Sequence, residues 1–153
     1  MTDFQKKLGL KKADQIAIVV EDMEKVIHYY ENTLGIGPFH RPEINYFNKY
    51  YYNEKVDSDW EMAFCSLGDV ELELIQPTRE PTIYHDFLKT QGEGLHHIGF
   101  VIDNFSEVID ICKKKNIEVI QWGEGDTSKF AYLATEKPGG VIYEIIEREV
   151  SRV

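Results

Sequence analysis

Four polar side chains stand at matching places in segments that otherwise read as apolar strands: Gln15, Glu73, His97 and Glu144. Side chains alternate faces along a strand, so Glu144 shares its face with Ile142 and Ile146. Glu73 shares its own with Glu71 and Ile75. A carboxylate on an apolar face must be paired, liganded or protonated, because burying it alone costs several kcal/mol. One amide, one imidazole and two carboxylates suit a divalent cation that prefers oxygen and nitrogen. Mn, Co, Ni, Zn and Mg all qualify, and the lack of thiolate argues against a structural zinc. Two glutamates would neutralise the dication and leave coordination positions for water or substrate. Taken singly, each residue has a plainer reading: a histidine at a strand start is usually structural, and Glu71 and Glu73 could form a solvated face. The metal reading rests on the four occurring together.

They occur together because the chain repeats itself. The stretch DQIAIVVEDMEKVIHYY, from Asp14, lies over HHIGFVIDNFSEVIDIC, from His96. Each begins with an apolar run, residues 16–20 and 98–102, followed by Glu21-Asp22 or Asp103-Asn104. Each continues with apolar residues at helical spacing: Met23, Val26, Ile27, Tyr30, and Phe105, Val108, Ile109, Cys112. Asp22 and Asn104 are suitable N-caps, with Glu107 placed for a capping box. The later parts match too: a glycine turn and an apolar strand with Glu at the same place, GDVELELI from Gly68 and GGVIYEII from Gly139. Strand-like runs precede these at 61–67 and 129–134, and third strands are expected around 39–46 and 117–122. Each half therefore reads strand–helix–strand–strand–strand. The halves are joined by residues 76–94, with a short helix expected within 82–90. Bulky Ile16, Ile18 and Val20 should carry the helix, leaving Gln15, Ala17 and Val19 on the other face. In the copy, Ile98, Phe100 and Ile102 oppose His97, Gly99 and Val101. Small Ala17 and Gly99 leave room above the sheet.

The 153 residues are 42% hydrophobic and 29% charged, with 5 Pro, the composition of one folded domain or two small similar lobes. No apolar run approaches the ~20 residues of a membrane helix, and the charged N-terminus lacks the apolar stretch of a secretory signal. The net charge of −10 disfavours nucleic acid and anionic lipid. Lys113-Lys114-Lys115, the longest basic run, fits a helix C-terminus. Cys65 and Cys112 are far apart and match no zinc spacing, so free thiols in the cytoplasm are expected.

Three segments carry a resemblance: DQIAIVVEDMEKVIHYYENTLGIGPF, GLHHIGFVIDN and PGGVIYEIIE. In order and spacing the chain resembles the vicinal oxygen chelate (glyoxalase / bleomycin resistance / dioxygenase) superfamily, over about residues 13–147. The resemblance implies an α+β fold, in which paired βαβββ modules form a curved mixed sheet with a central metal cleft. The chain would be a single domain over residues 1–153, with modules at about 13–77 and 95–148. The family's metal ligands fall on Gln15, Glu73, His97 (the histidine before Ile-Gly, not His96) and Glu144. That set is similar to some glyoxalase I enzymes, whereas CSLGDVELELIQP, GEGLHHIGF and PGGVIYEII look more like methylmalonyl-CoA epimerase. The epimerase commonly has His first and Gln second, so Gln15 and Glu73 depart from it.

The implied activity is a metal-dependent isomerase or epimerase that abstracts a proton next to a carbonyl or thioester. A lactoylglutathione lyase (glyoxalase I) is one alternative, and a metal-free small-molecule binding protein is another. An iron dioxygenase fits less well, because two His and one Glu are usual there and Gln15 breaks the set. Glu144 is the first choice of base, since apolar neighbours strengthen a carboxylate as a base; Glu73 would serve the opposite face, and Glu54 is an alternative. The aromatic stretch 46–60 could line a cleft or a subunit interface, or simply pack a hairpin. Lys129 and Arg148 could meet an acidic group on a substrate. The expected partners are a small carbonyl or acyl-thioester substrate and a second copy of the chain, in a homodimer.

Overall fold

The computed structural model describes residues 1–149. Strand β1 (Gln15–Val19) leads into helix α2 (Met23–Tyr29), which follows a short N-terminal helix α1 (Asp3–Leu8). The Asp22 side chain accepts from Lys25 N–H and caps α2, and a single wide turn, Tyr30–Leu34, extends it to Gly35. Next come β2 (Tyr46–Tyr51), the two-residue β3 (Glu54–Lys55), β4 (Asp59–Leu67) and β5 (Val70–Arg79). Helix α3 (Ile83–Gln91) joins the halves. The second half runs β6 (Gly94–Val101), α4 (Phe105–Lys114), β7 (Val119–Gly125), β8 (Ser128–Leu133) and β9 (Ile142–Arg148). The expected capping box at α4 is absent: the Asn104 amide donates to Lys7 O and Glu107 instead of accepting from the helix.

Among the described residues nine strands make one sheet, in the order β3-β2-β7-β8-β9-β6-β1-β5-β4. The two modules meet where β1 and β6 run antiparallel. Each then continues with a parallel neighbour, β1 with β5 and β6 with β9. The expected third strand at 39–46 is displaced. His40 makes only a single bridge to Phe64 on β4, and the chain then crosses to the far module, where β2 pairs with β7. The sheet curls enough for the two ends to touch, with the Tyr46 and Trp60 ring centroids 6.0 Å apart.

Alternation sorts the side chains as expected. Outside, α2 sets Met23 against Val20, Ala63 and Leu74, and α4 sets Phe105, Val108 and Cys112 against Ile102, Leu133 and Ile145. Burying each such side chain contributes about 1.5–3 kcal/mol. Inside, the curl is filled by Ala17, Val19, Trp60, Ile75, Tyr84, Phe130 and Tyr132. Tyr84 comes from α3, so the connecting helix lies against the concave face. No helix among the described residues is long and apolar enough to cross a membrane.

Candidate metal centre

Register brings the four polar residues together at the middle of the sheet. One row across β5, β1 and β6 reads Glu73, Ala17, His97; the next reads Glu71, Gln15, Gly99 and, on β9, Glu144. The small residues sit between the polar ones, so the longer side chains lean over them. A Cβ on Gly99 would lie 3.1 Å from Gln15 Cβ and 3.2 Å from Gln15 Oε1. Gln15, Glu73, His97 and Glu144 are all at least 95% buried.

His97 Nε2 is the hub. It lies 2.9 Å from Glu144 Oε2, 3.5 Å from Glu73 Oε2 and 3.3 Å from Gln15 Oε1. Burial opposes a charged His97, but Glu144 and then Glu73 outweigh it and push the imidazole up to about 9. The metal-free pocket therefore holds a proton where a cation would sit. The donor atoms of Glu73, His97 and Glu144 all lie within 4.8 Å of one another. Two ligands at ~2.1 Å in adjacent positions about an octahedral cation are about 3 Å apart, close to the 2.9 Å, 3.5 Å and 3.3 Å seen around Nε2. Glu144 Oε2 is fully buried and accepts no well-directed hydrogen bond despite its nearness to Nε2. Two buried carboxylate oxygens and an amide oxygen converging on one imidazole nitrogen are a donor set that fits a divalent cation.

The amide of Gln15 is orientated by residues that sequence reasoning did not assign to the site. Gln15 Nε2 donates to Glu71 Oε1 at 2.8 Å, which turns Gln15 Oε1 toward His97. Arg148 donates to the same Glu71 oxygen at 2.9 Å, with both side chains buried. Arg148 thus meets an acidic group of this chain, not of a substrate. Glu71 carried a readable signal, since it is one β-repeat from Glu73 on the same face; its pairing to Arg148, 77 residues away, did not.

The second omission is His96. Alternation along β6 should turn it away from His97, but the β1–β6 ladder shifts register between Ala17 and Ile18, with Ala17 opposite His97 and Ile18 opposite Leu95. The bulge leaves His96 as the extra residue, and a bulge re-aims side chains. Both imidazoles turn to the same side, with Nδ1 atoms 2.8 Å apart. Above them Tyr84 and Tyr132, both fully buried, share a 2.7 Å hydroxyl–hydroxyl hydrogen bond. Burial, and then the charges of Glu73 and Glu144, raise both phenols. Both therefore stay neutral and close the site against water.

Other candidates lie apart. Glu54 is exposed on β3 at the sheet edge. Lys129 pairs with Glu124 at 3.6 Å. The aromatic stretch divides: Tyr46 and Trp60 pack the interior, Tyr50 stacks on Trp122 at 4.4 Å, and Tyr51 donates its hydroxyl to Asp86.

A family model described as "Glyoxalase/Bleomycin resistance protein/Dioxygenase superfamily" matches residues 14–132. The chain is 29% identical over 143 residues to the uncharacterized protein YqjC of Bacillus subtilis, covering 90% of this chain and 93% of that one. It is 26% identical over 142 residues to human mitochondrial methylmalonyl-CoA epimerase, covering 90% of this chain and 74% of the relative. A solved methylmalonyl-CoA epimerase in complex with methylmalonyl-CoA and NH4+ superposes with a TM-score of 0.67 at 26% identity, covering 92% of this chain and 96% of that one.

Proposed function

Because the chain belongs to the glyoxalase/bleomycin resistance protein/dioxygenase superfamily, we propose that it is a metal-dependent epimerase of a 2-substituted malonyl-type acyl thioester, like the methylmalonyl-CoA epimerases it is similar to. The observation that carries the reading is the buried Glu73–His97–Glu144 group, with donor atoms within 4.8 Å. Those residues and the Gln15 carbonyl would hold Co, Ni, Zn, Mn or Mg. When bound, such a cation stabilises negative charge developing on a carbonyl oxygen.

The chain's own residues supply the rest. His97 holds its place between Glu144 and His96. The breaking Cα–H bond leaves its electrons to the acyl group, and its proton goes to a carboxylate oxygen. Glu144 is the base in this reading, buried on β9 beside the group it would serve, with Oε2 2.9 Å from His97 Nε2. Glu73 lies across His97, 3.5 Å from Nε2; carrying a proton at the start of the step, it gives that proton to the opposite face of the carbon as Glu144 takes one, which inverts the centre and leaves the two carboxyl groups with their protonation exchanged. Tyr84 and Tyr132 exclude the water that would compete for the proton.

The test is solvent-deuterium exchange into methylmalonyl-CoA, run beside a methylglyoxal–thiol hemithioacetal assay. The reading expects exchange in the first and little turnover in the second, together with stoichiometric metal in purified protein. His97→Ala/Glu144→Ala should lose both metal and exchange. A double variant that keeps its metal, or a wild type that turns over the hemithioacetal alone, sinks the reading.

A further inference from the structure

The Gln15 amide shares the His97 Nε2 hub with two carboxylates, Glu73 and Glu144. An amide has a donor end and an acceptor end of nearly the same shape, whereas a carboxylate only accepts. Left to itself, an amide beside two carboxylates turns its NH2 group toward them. So turned, it fills the hub with hydrogen and offers a cation no oxygen.

Glu71 supplies the opposite pull. It stands directly beside Gln15 in the β1–β5 ladder, one β-repeat from Glu73. Its Oε1, 2.8 Å from Gln15 Nε2, takes the donor end and leaves the carbonyl oxygen facing His97. Arg148 approaches the same Glu71 oxygen at 2.9 Å. A guanidinium has donors only, so it holds Glu71 as an acceptor and compensates its buried charge. The two come from different modules: Glu71 lies on β5 with Glu73, and Arg148 on β9 with Glu144. Each strand that brings a carboxylate to the hub thus brings one member of the pair behind the amide. The pair is neutral as a whole, so it orientates Gln15 without adding to the charge of Glu73 and Glu144.

We propose that Glu71 and Arg148 are positioning residues for Gln15: Glu71 fixes the amide with its oxygen inward, and Arg148 fixes Glu71. Together they make an oxygen ligand of a side chain that could equally present N–H. The assignment rests on the metal-binding part of the reading above and holds for any substrate.

Two double variants separate positioning from stability: Glu71→Leu/Arg148→Met and Glu71→Gln/Arg148→Met. Both keep the wild-type net charge and bury no unpaired ion. They differ in whether residue 71 has an oxygen to receive the Gln15 N–H. Calorimetry of Mn(II) binding to the metal-free whole chain, at one pH, reads the consequence. The Leu form should bind Mn(II) about 10–100-fold more weakly than wild type, the usual cost of losing the partner behind a metal ligand. The Gln form should recover most of that loss. The visible bands of the Co(II)-loaded protein should match wild type in the Gln form and shift in the Leu form, where one oxygen donor has turned away. If the two forms bind Mn(II) equally and share one Co(II) spectrum, the positioning role is overturned while metal uptake by wild type keeps the centre. If wild type takes up neither Mn(II) nor Co(II), both are overturned.

Discussion

Loading the metal-free protein with Mn(II) should expel a proton, and the amount follows from His97. Its imidazole titrates at about 9 in the folded chain, through Glu144 and Glu73 prevailing over burial. At pH 7, about two units below, nearly all of the sites carry the proton, and displacing it costs about 3 kcal/mol. Apparent affinity at pH 7 should therefore be about 100-fold weaker than above pH 9, rising about tenfold from pH 7 to pH 8. His96 adds nothing to the count, because burial and then the charge of His97 hold it well below the ordinary histidine value. Calorimetry in buffers of different ionisation enthalpy reads the protons directly, with about one released per Mn(II) at pH 7.5. An unperturbed histidine near 6.5 would give less than about a 1.5-fold change in affinity between pH 7 and 8. That result, with no proton released, would refute the hub geometry. The same proton stabilises the metal-free fold. Its folded value is above its unfolded one, so the contribution is complete below about pH 6.5 and is lost as pH rises through about 9, worth ~3 kcal/mol at most. Urea midpoints of the metal-free protein should fall across that window, and added metal should flatten the fall.

Arg148→Met leaves the Glu71 carboxylate buried without its guanidinium and should lower unfolding free energy by about 3 kcal/mol. Urea denaturation reads the loss, which Glu71→Gln in the same chain should largely relieve. Gly99→Ala puts a methyl 3.0 Å from Ile146 Cδ1 and 3.2 Å from Gln15 Oε1. It should cost about 1–3 kcal/mol by overpacking and weaken Mn(II) binding in calorimetry by displacing the amide. Asp22→Ala removes the cap of α2 and should cost about 1 kcal/mol while leaving metal affinity unchanged, a control that separates stability from site.

The sequence by itself determined the repeated strand–helix pattern, the helices α2 and α4 and the inward placing of Gln15, Glu73, His97 and Glu144; it gave no sign of α1. Each of these follows from a local period: helical spacing in α2 and α4, and two-residue alternation in β1, β5, β6 and β9. The same alternation gives no sign that His96 turns toward His97. The bulge that turns it inward is a relation between β1 and β6, invisible along either strand. The third strand of the first module went astray for a related reason: β2 is held by β7 of the other module, and which edge a strand joins is settled by pairing energy across the sheet, not by its own residues. Arg148 reached Glu71, and Tyr84 reached Tyr132, because the curl of nine strands closes distances of 77 and 48 residues. Periodicity decides which way a side chain points, and only the assembled sheet decides what it meets there.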